Sequence, residues 1–163
     1  MKESSRLEPN KTKEDNRIRI NVTLLGICFT LFTFLIAFNP NLLKDDVFLT
    51  LQLVCAIPLF MTSLLARTKA SYTPGKTRWT NFGFVTYILA YAFLINVVGI
   101  FLMSFVSLLA GFVFFAFNIV LALVYSAVEV SYDSARAKER FFKDLVFILI
   151  LILLGILPTI GFH

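Results

Sequence analysis

WTNFGFVTYILAYAFLINVVGIFLMSFVSLLAGFVFFAFNIVLALVYSAV, residues 79–128, is the stretch that decides the fold, because it contains no charged side chain. As one α-helix it would be about 75 Å long, more than twice the ~30 Å hydrocarbon core of a bilayer. The run must therefore fold back on itself. Gly99 and Ser104 interrupt the apolar pattern near its middle, which predicts one membrane span at 82–102 and another at 106–128.

Three more apolar runs, each long enough to cross a bilayer as a helix, lie outside this stretch. The first, 20–38, ends at a turn-forming Asn-Pro-Asn sequence. The second, 47–66, contains Pro58, which predicts a kink because proline lacks an amide hydrogen. The third, 145–162, is interrupted by glycine and proline toward its end, so a tilted or short span is expected there.

The composition agrees with a membrane protein rather than a soluble one. Hydrophobic residues make up 58% of the 163 residues and charged residues 15%, and the mean hydropathy is +0.83. In an average soluble domain about a quarter of the residues are charged. The sequence therefore predicts an all-α fold, a polytopic transmembrane helix bundle with five spans.

The placement of basic residues predicts the orientation of these spans, because lysine and arginine concentrate in cytoplasmic segments. With five spans, every basic residue except Lys44 falls on the side of the N-terminus. The N-terminus is therefore predicted to be cytoplasmic and the C-terminus external, with the plasma membrane as the expected location. In a four-span arrangement, where 82–128 crosses once or re-enters, the basic segment 129–144 would lie outside.

The same pattern predicts the domain organisation. Residues 1–17 are polar and charged and include Pro9, a composition typical of a disordered tail. Residues 18–163 are expected to form a single transmembrane helical domain. No internal repeat is visible in the sequence, which argues against a duplicated inverted-repeat transporter.

Small side chains recur at helical spacing in three of the predicted spans. Helices in lipid approach one another through such faces, because apolar contact alone offers no advantage over lipid tails. The rows are Thr23, Gly26, Thr30, Thr33 and Ala37 in the first span, Gln52, Ala56, Leu59, Ser63 and Ala66 in the second, and Ser107, Gly111 and Asn118 in the fourth. Packing within one bundle is the simpler interpretation of these rows. An oligomer interface or a polar pathway is the functional alternative.

Four polar residues in or beside the charge-free spans are candidates for lining a pore: Asn96, Ser107, Asn118 and Glu129. An amide in hydrocarbon must find a hydrogen-bond partner. Asn96 and Asn118 therefore suit either a pore lining or an ordinary hydrogen bond between spans. Glu129, at the cytoplasmic end of the fourth span, suits either a pore mouth or a solvated helix end.

The segment between the fourth and fifth spans presents a basic face. Arg136, Arg140 and Lys143 share one side of a helix at spacings of four and three residues. Near a membrane surface each basic residue gains about 1 kcal/mol from anionic headgroups. These three residues are candidates for lipid-headgroup contacts, and a purely topological role is the alternative.

No residue pattern that carries chemistry is visible in the sequence. The one histidine is His163, and Cys28 and Cys55 form no CxxC pair and have no histidine beside them. Catalytic residues, a metal site and a cofactor are therefore not predicted, and no nucleic-acid-binding module is present. A disulfide between the two cysteine-bearing spans stays open at this stage.

These observations favour an integral membrane protein without enzymatic activity. The leading hypothesis is an accessory, scaffold or sensor subunit that packs through its small-residue faces, with the lipid bilayer and a second copy or another membrane protein as partners. The alternative is a homo-oligomeric passive channel or small-solute permease. A second alternative is a membrane protein that binds anionic lipid.

Overall fold

The computed structural model describes residues 4–73, 77–132 and 137–161, and the elements within them are helical. In chain order they are α1 (Ser4–Phe38), α2 (Pro40–Asp45), α3 (Val47–Tyr72), α4 (Thr77–Phe105), α5 (Leu108–Tyr132), α6 (Ala137–Ile150), a π-helical turn (Leu151–Ile156) and α7 (Leu157–Gly161). No strand occurs in these three described ranges. The all-α prediction is confirmed.

Four of the helices are long and apolar enough to cross a membrane. Their spanning parts are Asp15–Phe38, Val47–Tyr72, Arg78–Phe105 and Leu108–Val128. Large apolar side chains on these helices are widely exposed, as with Leu65 at 69% and Leu109 at 73%. So much exposed apolar surface is unfavourable in water and compatible with lipid. The structure therefore fits a helical membrane protein with four candidate spans.

The fold-back predicted within 79–128 lies at Val106 and Ser107. The backbone amides of these two residues both bond to the Leu102 carbonyl at 3.0 Å, which ends α4. The Ser107 hydroxyl oxygen then accepts a hydrogen bond from the Ala110 amide at 3.1 Å and caps the start of α5. A serine cap, rather than a glycine, thus separates the third and fourth spans.

α1 begins well before the first predicted span. Residues 4–17, which their composition predicts to be disordered, are helical and continue directly into the span. Lysine, glutamate and arginine are good helix formers. A formed span also supplies the helical nucleus that a short polar segment lacks on its own.

The chain divides into two compact units, unit 1 (Met1–Tyr91) and unit 2 (Ala92–His163), where a single domain was expected. In unit 1, α1 packs along α3, and the short α2 connects them. The buried residues of α1 are Asn21, Cys28 and Leu35. They are seven residues apart, which places them on one side of the helix.

The facing side of α3 supplies most of the remaining core of unit 1. Its buried residues are Leu49, Gln52, Leu53, Ala56, Phe60, Ser63, Ala66 and Arg67. This set includes most of the small-residue row of the second span. That row therefore packs within the chain. The α3 helix begins with an N-cap, because the Asp46 carboxylate accepts from the Leu49 amide at 2.9 Å.

Unit 2 contains the second part of α4, α5 and the last three elements. Its buried side chains include Ala92, Asn96, Val97, Ile100, Phe115 and Leu151. α5 approaches α4 very closely at Gly111, where a Cβ atom would overlap Met103 and lie 2.9 Å from the Gly99 carbonyl oxygen. A glycine at this position is what permits the close packing of the two helices.

The fifth predicted span, 145–162, falls on α6, the π-helical turn and α7. These three elements follow one another without a break from 137 to 161, but each is shorter than a span. They are not among the four candidate spans. The fifth span and the orientation of the chain therefore stay predictions.

Candidate functional site

A chain of buried hydrogen bonds, here called the Asn21 relay, joins three helices of unit 1. The side-chain amide of Asn21 on α1 donates to the Ser63 hydroxyl oxygen on α3 at 2.9 Å. The Ser63 hydroxyl donates in turn to the Gly83 carbonyl of α4 at 2.6 Å. Asn21 is 1% exposed and Ser63 0%.

The direction of these bonds fixes the orientation of the asparagine. The Ser63 hydroxyl has one proton, and that proton goes to the Gly83 carbonyl. Asn21 must therefore present its NH2 group, rather than its oxygen, to the remaining lone pairs of Ser63. The relay holds α1, α3 and α4 in one register, and of its members only Ser63 belonged to a small-residue row in the sequence.

Arg67 is the only buried basic residue in the described part of the chain, and it lies beside the relay. It is 3% exposed, although the sequence places it in a cytoplasmic loop after the second span. α3 continues past the predicted end of that span to Tyr72, and Arg67 follows Ser63 by one helical turn. Arg67 continues the line of the small-residue row by one helical turn, and this spacing is the feature of the sequence that could have predicted its burial.

The guanidinium of Arg67 lies against aromatic side chains. Its central carbon is 5.6 Å from the ring centroid of Tyr87. The Tyr87 ring stacks on Tyr91 at 6.0 Å and meets the edge of Phe60 at 6.2 Å. A cation over an aromatic face gains about 0.5–2 kcal/mol, so this cluster stabilises the charge at the end of unit 1.

A second polar contact, here called the Asn96 junction, lies in unit 2. Asn96 on α4 is 0% exposed, and its side-chain amide donates to the Ile150 carbonyl at 3.3 Å. A Cβ atom at Gly155 would lie 2.5 Å from the Asn96 side-chain oxygen and 2.9 Å from the Phe115 ring. Asn96 therefore makes a hydrogen bond between helical elements at the start of the π-helical turn.

The small residues of the first span face outward. This outward row consists of Thr23, Gly26, Thr30, Thr33 and Ala37, all of which are exposed. A Cβ atom at Gly26 would meet nothing within 4 Å. At 3.6 residues per turn the row lies about 180° from the buried residues of α1. Intramolecular packing, which explains the second-span row, does not account for this one.

Larger side chains border the outward row on both sides. Exposed apolar residues follow one edge at intervals of seven (Val22, Phe29 and Ile36) and the other edge at the same interval (Ile20, Ile27 and Phe34). The row is thus a shallow groove between two apolar ridges. Two of its three threonine hydroxyls bond within α1: Thr30 donates to the Gly26 carbonyl at 3.0 Å and Thr23 to the Arg19 carbonyl at 3.1 Å.

The other predicted site residues are dispersed. Ser107 serves as the helix cap of α5. Asn118 is half-buried and donates to the Phe114 carbonyl of its own helix at 2.8 Å. Glu129 lies on α5, but its side chain is outside the described set. The two described side chains, Ser107 and Asn118, each bond to the backbone of their own helix.

The candidate lipid-headgroup residues are described only in part. Arg136 lies outside the described residues, and Arg140 lies on α6 without a described side chain. Lys143, on the same helix, is half-buried. Cys28 and Cys55 are both free thiols, so the disulfide left open by the sequence is absent. Within the described ranges no three His, Cys, Asp or Glu residues lie together to hold a metal ion.

Comparison with known proteins gives no match: no family model, curated protein or solved structure matches the chain. The function is therefore inferred from the geometry of the outward row, the Asn21 relay and the Asn96 junction.

Proposed function

We propose that this chain is a non-enzymatic integral membrane protein, an accessory or scaffold subunit that docks on another membrane helix through the outward row of α1. A sensor role for such a subunit is part of the same proposal. The docked helix belongs either to a second copy of the chain or to another membrane protein.

The proposal is supported by the difference between the two sides of α1, of which one is buried in unit 1 and the other is exposed and lined by small residues. One side supplies Asn21, Cys28 and Leu35 to the core of unit 1, while the opposite side presents glycine, threonine and alanine with no neighbour over Gly26. Small residues let two helix backbones approach closely in lipid, where van der Waals packing drives association. Thr23 and Thr30 bond within α1, so at these two positions the groove offers its shape rather than a hydrogen-bond donor.

The proposal is tested by filling the groove. Gly26→Leu places a large side chain in the open groove, and Ala116→Leu makes a comparable change at an exposed small residue of α5. Differently tagged copies are co-expressed, and a photo-crosslinker at Thr33 reports neighbours in the native membrane. Cross-linking to a copy or to a fixed partner should fall at least tenfold in Gly26→Leu and stay unchanged in Ala116→Leu.

Equal cross-linking in Gly26→Leu and Ala116→Leu would refute docking through this groove. Adducts with lipid alone would do so as well. Transfer between the two tagged copies distinguishes self-association from association with a different membrane protein.

We further propose five spans with a cytoplasmic N-terminus in the plasma membrane. The distribution of basic residues supports this orientation. Residues 137–161 are helical throughout; the charge-free part, 145–161, would cover about 25 Å at 1.5 Å per residue, a short span that local thinning of the bilayer can accommodate. A reporter active only in the cytoplasm, fused after His163, should be inactive. An active reporter would mean four spans.

The channel and lipid-binding alternatives receive less support from the described residues. A channel around α5 would need Asn118 to face a pore, but its amide bonds within its own helix. Solute flux into liposomes that contain the purified protein tests the channel directly. Binding to anionic liposomes, lost on raising salt, tests the lipid alternative because surface charge is screened within about 10 Å at 0.1 M.

A further inference from the structure

The helical run from 137 to 161 changes its winding at Leu151–Ile156, where a wide π-helical turn replaces the α-helix. The Leu157 amide bonds to the Ile152 carbonyl, five residues back rather than four. Such turns are rare in proteins and are frequent at functional sites. This one lies inside unit 2, against α4 and α5.

The local sequence explains why the turn widens. Pro158 follows the turn closely, and in a regular α-helix its ring would clash with the carbonyl four residues earlier, at Leu154. A wider turn relieves that clash. The Thr159 hydroxyl donates to the Ile156 carbonyl at 2.7 Å, which supplies a partner for a backbone group near the proline.

The tertiary contacts hold the wide turn from the other side. Asn96 donates to the carbonyl of Ile150, the residue that precedes the turn. The side-chain oxygen of Asn96 and the ring of Phe115 also lie against Gly155, so close that a Cβ atom there would clash with both. The same Phe115 ring fills the space beside Gly99, where a Cβ atom would overlap it. One face of the π-helical turn thus fits a slot formed by α4 and α5.

We propose that residues 151–156 are a register joint, held in the wide form by Asn96 and by the ring of Pro158, and able to close into a proline-bearing α-helix, as α3 carries Pro58, when either restraint is removed. A π-helical turn contains one residue more than an α-helical turn. When the turn closes, that residue becomes part of the α-helix that follows, so α7 rotates by about 100° and moves by about 1.5 Å along its axis. The Asn96 bond is a neutral one at 3.3 Å, beyond the usual range for a strong N–H···O bond. Little free energy therefore has to be supplied to break the Asn96 bond and let the segment change between its two helical forms.

The closed form changes which residues face the core. In the wide form Leu151 and Gly155 are buried and Leu157 is 50% exposed. After closure, each residue of α7 occupies the position around the helix axis that the next residue in the chain occupied before. α7 is thereby reoriented without loss of helix.

The test measures this one-residue shift directly in the full-length protein in lipid nanodiscs. Single cysteines are placed in turn at positions 156, 157, 159 and 160, which leaves Pro158 in place, with Cys28 and Cys55 replaced by alanine, and their labelling rates with a maleimide are compared. Asn96→Leu should shift the pattern of fast and slow positions by one residue. Asn118→Leu is the matched control, because its amide bonds within its own helix, and it should leave the pattern unchanged.

Pro158→Ala provides a second variant that does not remove a buried polar group. It removes the ring that opposes the α-helical form, and it should shift the pattern in the same direction as Asn96→Leu. An unchanged pattern in the variants that retain native helix content and a monodisperse profile would overturn the proposal. Uniformly fast labelling at all four positions would also overturn it, since that result means local unfolding rather than a change of register.

Discussion

Replacing Ser63 by alanine removes the hydroxyl at the centre of the Asn21 relay. Two hydrogen bonds are lost: the one from the Asn21 amide at 2.9 Å and the one to the Gly83 carbonyl at 2.6 Å. The Gly83 carbonyl gains little from Thr86, because the single proton of that hydroxyl lies closer to the Phe82 carbonyl, at 2.9 Å, than to Gly83, at 3.3 Å. The Asn21 amide, which is buried, loses the acceptor that Ser63 provides.

The structure sets the size of the expected effect. Interhelical hydrogen bonds in membrane proteins contribute about 0.6 kcal/mol on average and up to about 1.7 kcal/mol. A buried donor left without a partner costs about 1–3 kcal/mol. Because the main loss falls on Asn21, the free energy of unfolding should fall by about 1–3 kcal/mol.

Thr62→Ala is the matched control for this change. It removes a hydroxyl from the neighbouring residue of the same helix, but that hydroxyl bonds only to the Pro58 carbonyl one turn earlier, at 2.8 Å. The Thr62 variant should stay within about 0.5 kcal/mol of the parent protein. The assay is reversible unfolding in mixed micelles of increasing SDS content, followed through the fluorescence of Trp79, the single tryptophan.

The reasoning is refuted if Ser63→Ala destabilises the protein no more than Thr62→Ala. A double-mutant cycle sharpens the test. Asn21→Ala combined with Ser63→Ala should cost less than the sum of the two single changes, because both remove the same bond. Strict additivity would mean that the relay does not hold the two helices together.

Three other measurements follow from the structure. Gly111→Ala should lower the free energy of unfolding by about 1–3 kcal/mol, because its Cβ atom overlaps α4, whereas Gly26→Ala should not destabilise the protein in the same assay. Cys55, which is half-buried, should react with a membrane-permeable maleimide in the folded protein, and the fully buried Cys28 should react only after unfolding; equal rates would contradict the packing of α1. Asn118→Leu should change the free energy of unfolding by less than about 1 kcal/mol, since its amide bonds within its own helix, and a larger loss would place Asn118 in a contact between helices.

Much of the fold followed from the length of the apolar runs. Residues 79–128 are too long to cross a bilayer once, so the sequence required two helices there, and the structure has α4 and α5. The small-residue row of the second span correctly marked the buried side of α3. The place of the turn followed only approximately, because Ser107 acts through a capping hydrogen bond rather than through helix-breaking propensity.

The functional geometry was much harder to predict. Arg67 was placed in a loop because a charged residue usually ends a span, yet α3 continues and its guanidinium packs over Tyr87. The role of Asn96 depends on a contact with Ile150, 54 residues later in the chain. Sequence separation of that kind leaves no local pattern, so neither the junction nor the π-helical turn could be derived from the residues alone.

The sequence by itself determined that the long apolar runs are helical and suited to lipid, because in a bilayer each run must satisfy its own backbone hydrogen bonds. Only the tertiary structure decided which side of each helix is buried. In water the polar face of a helix marks its exposed side, but in lipid both sides are apolar and that signal disappears. Hence the small residues of α3 face the core while those of α1 face outward, a difference that follows from which neighbours the chain places beside them.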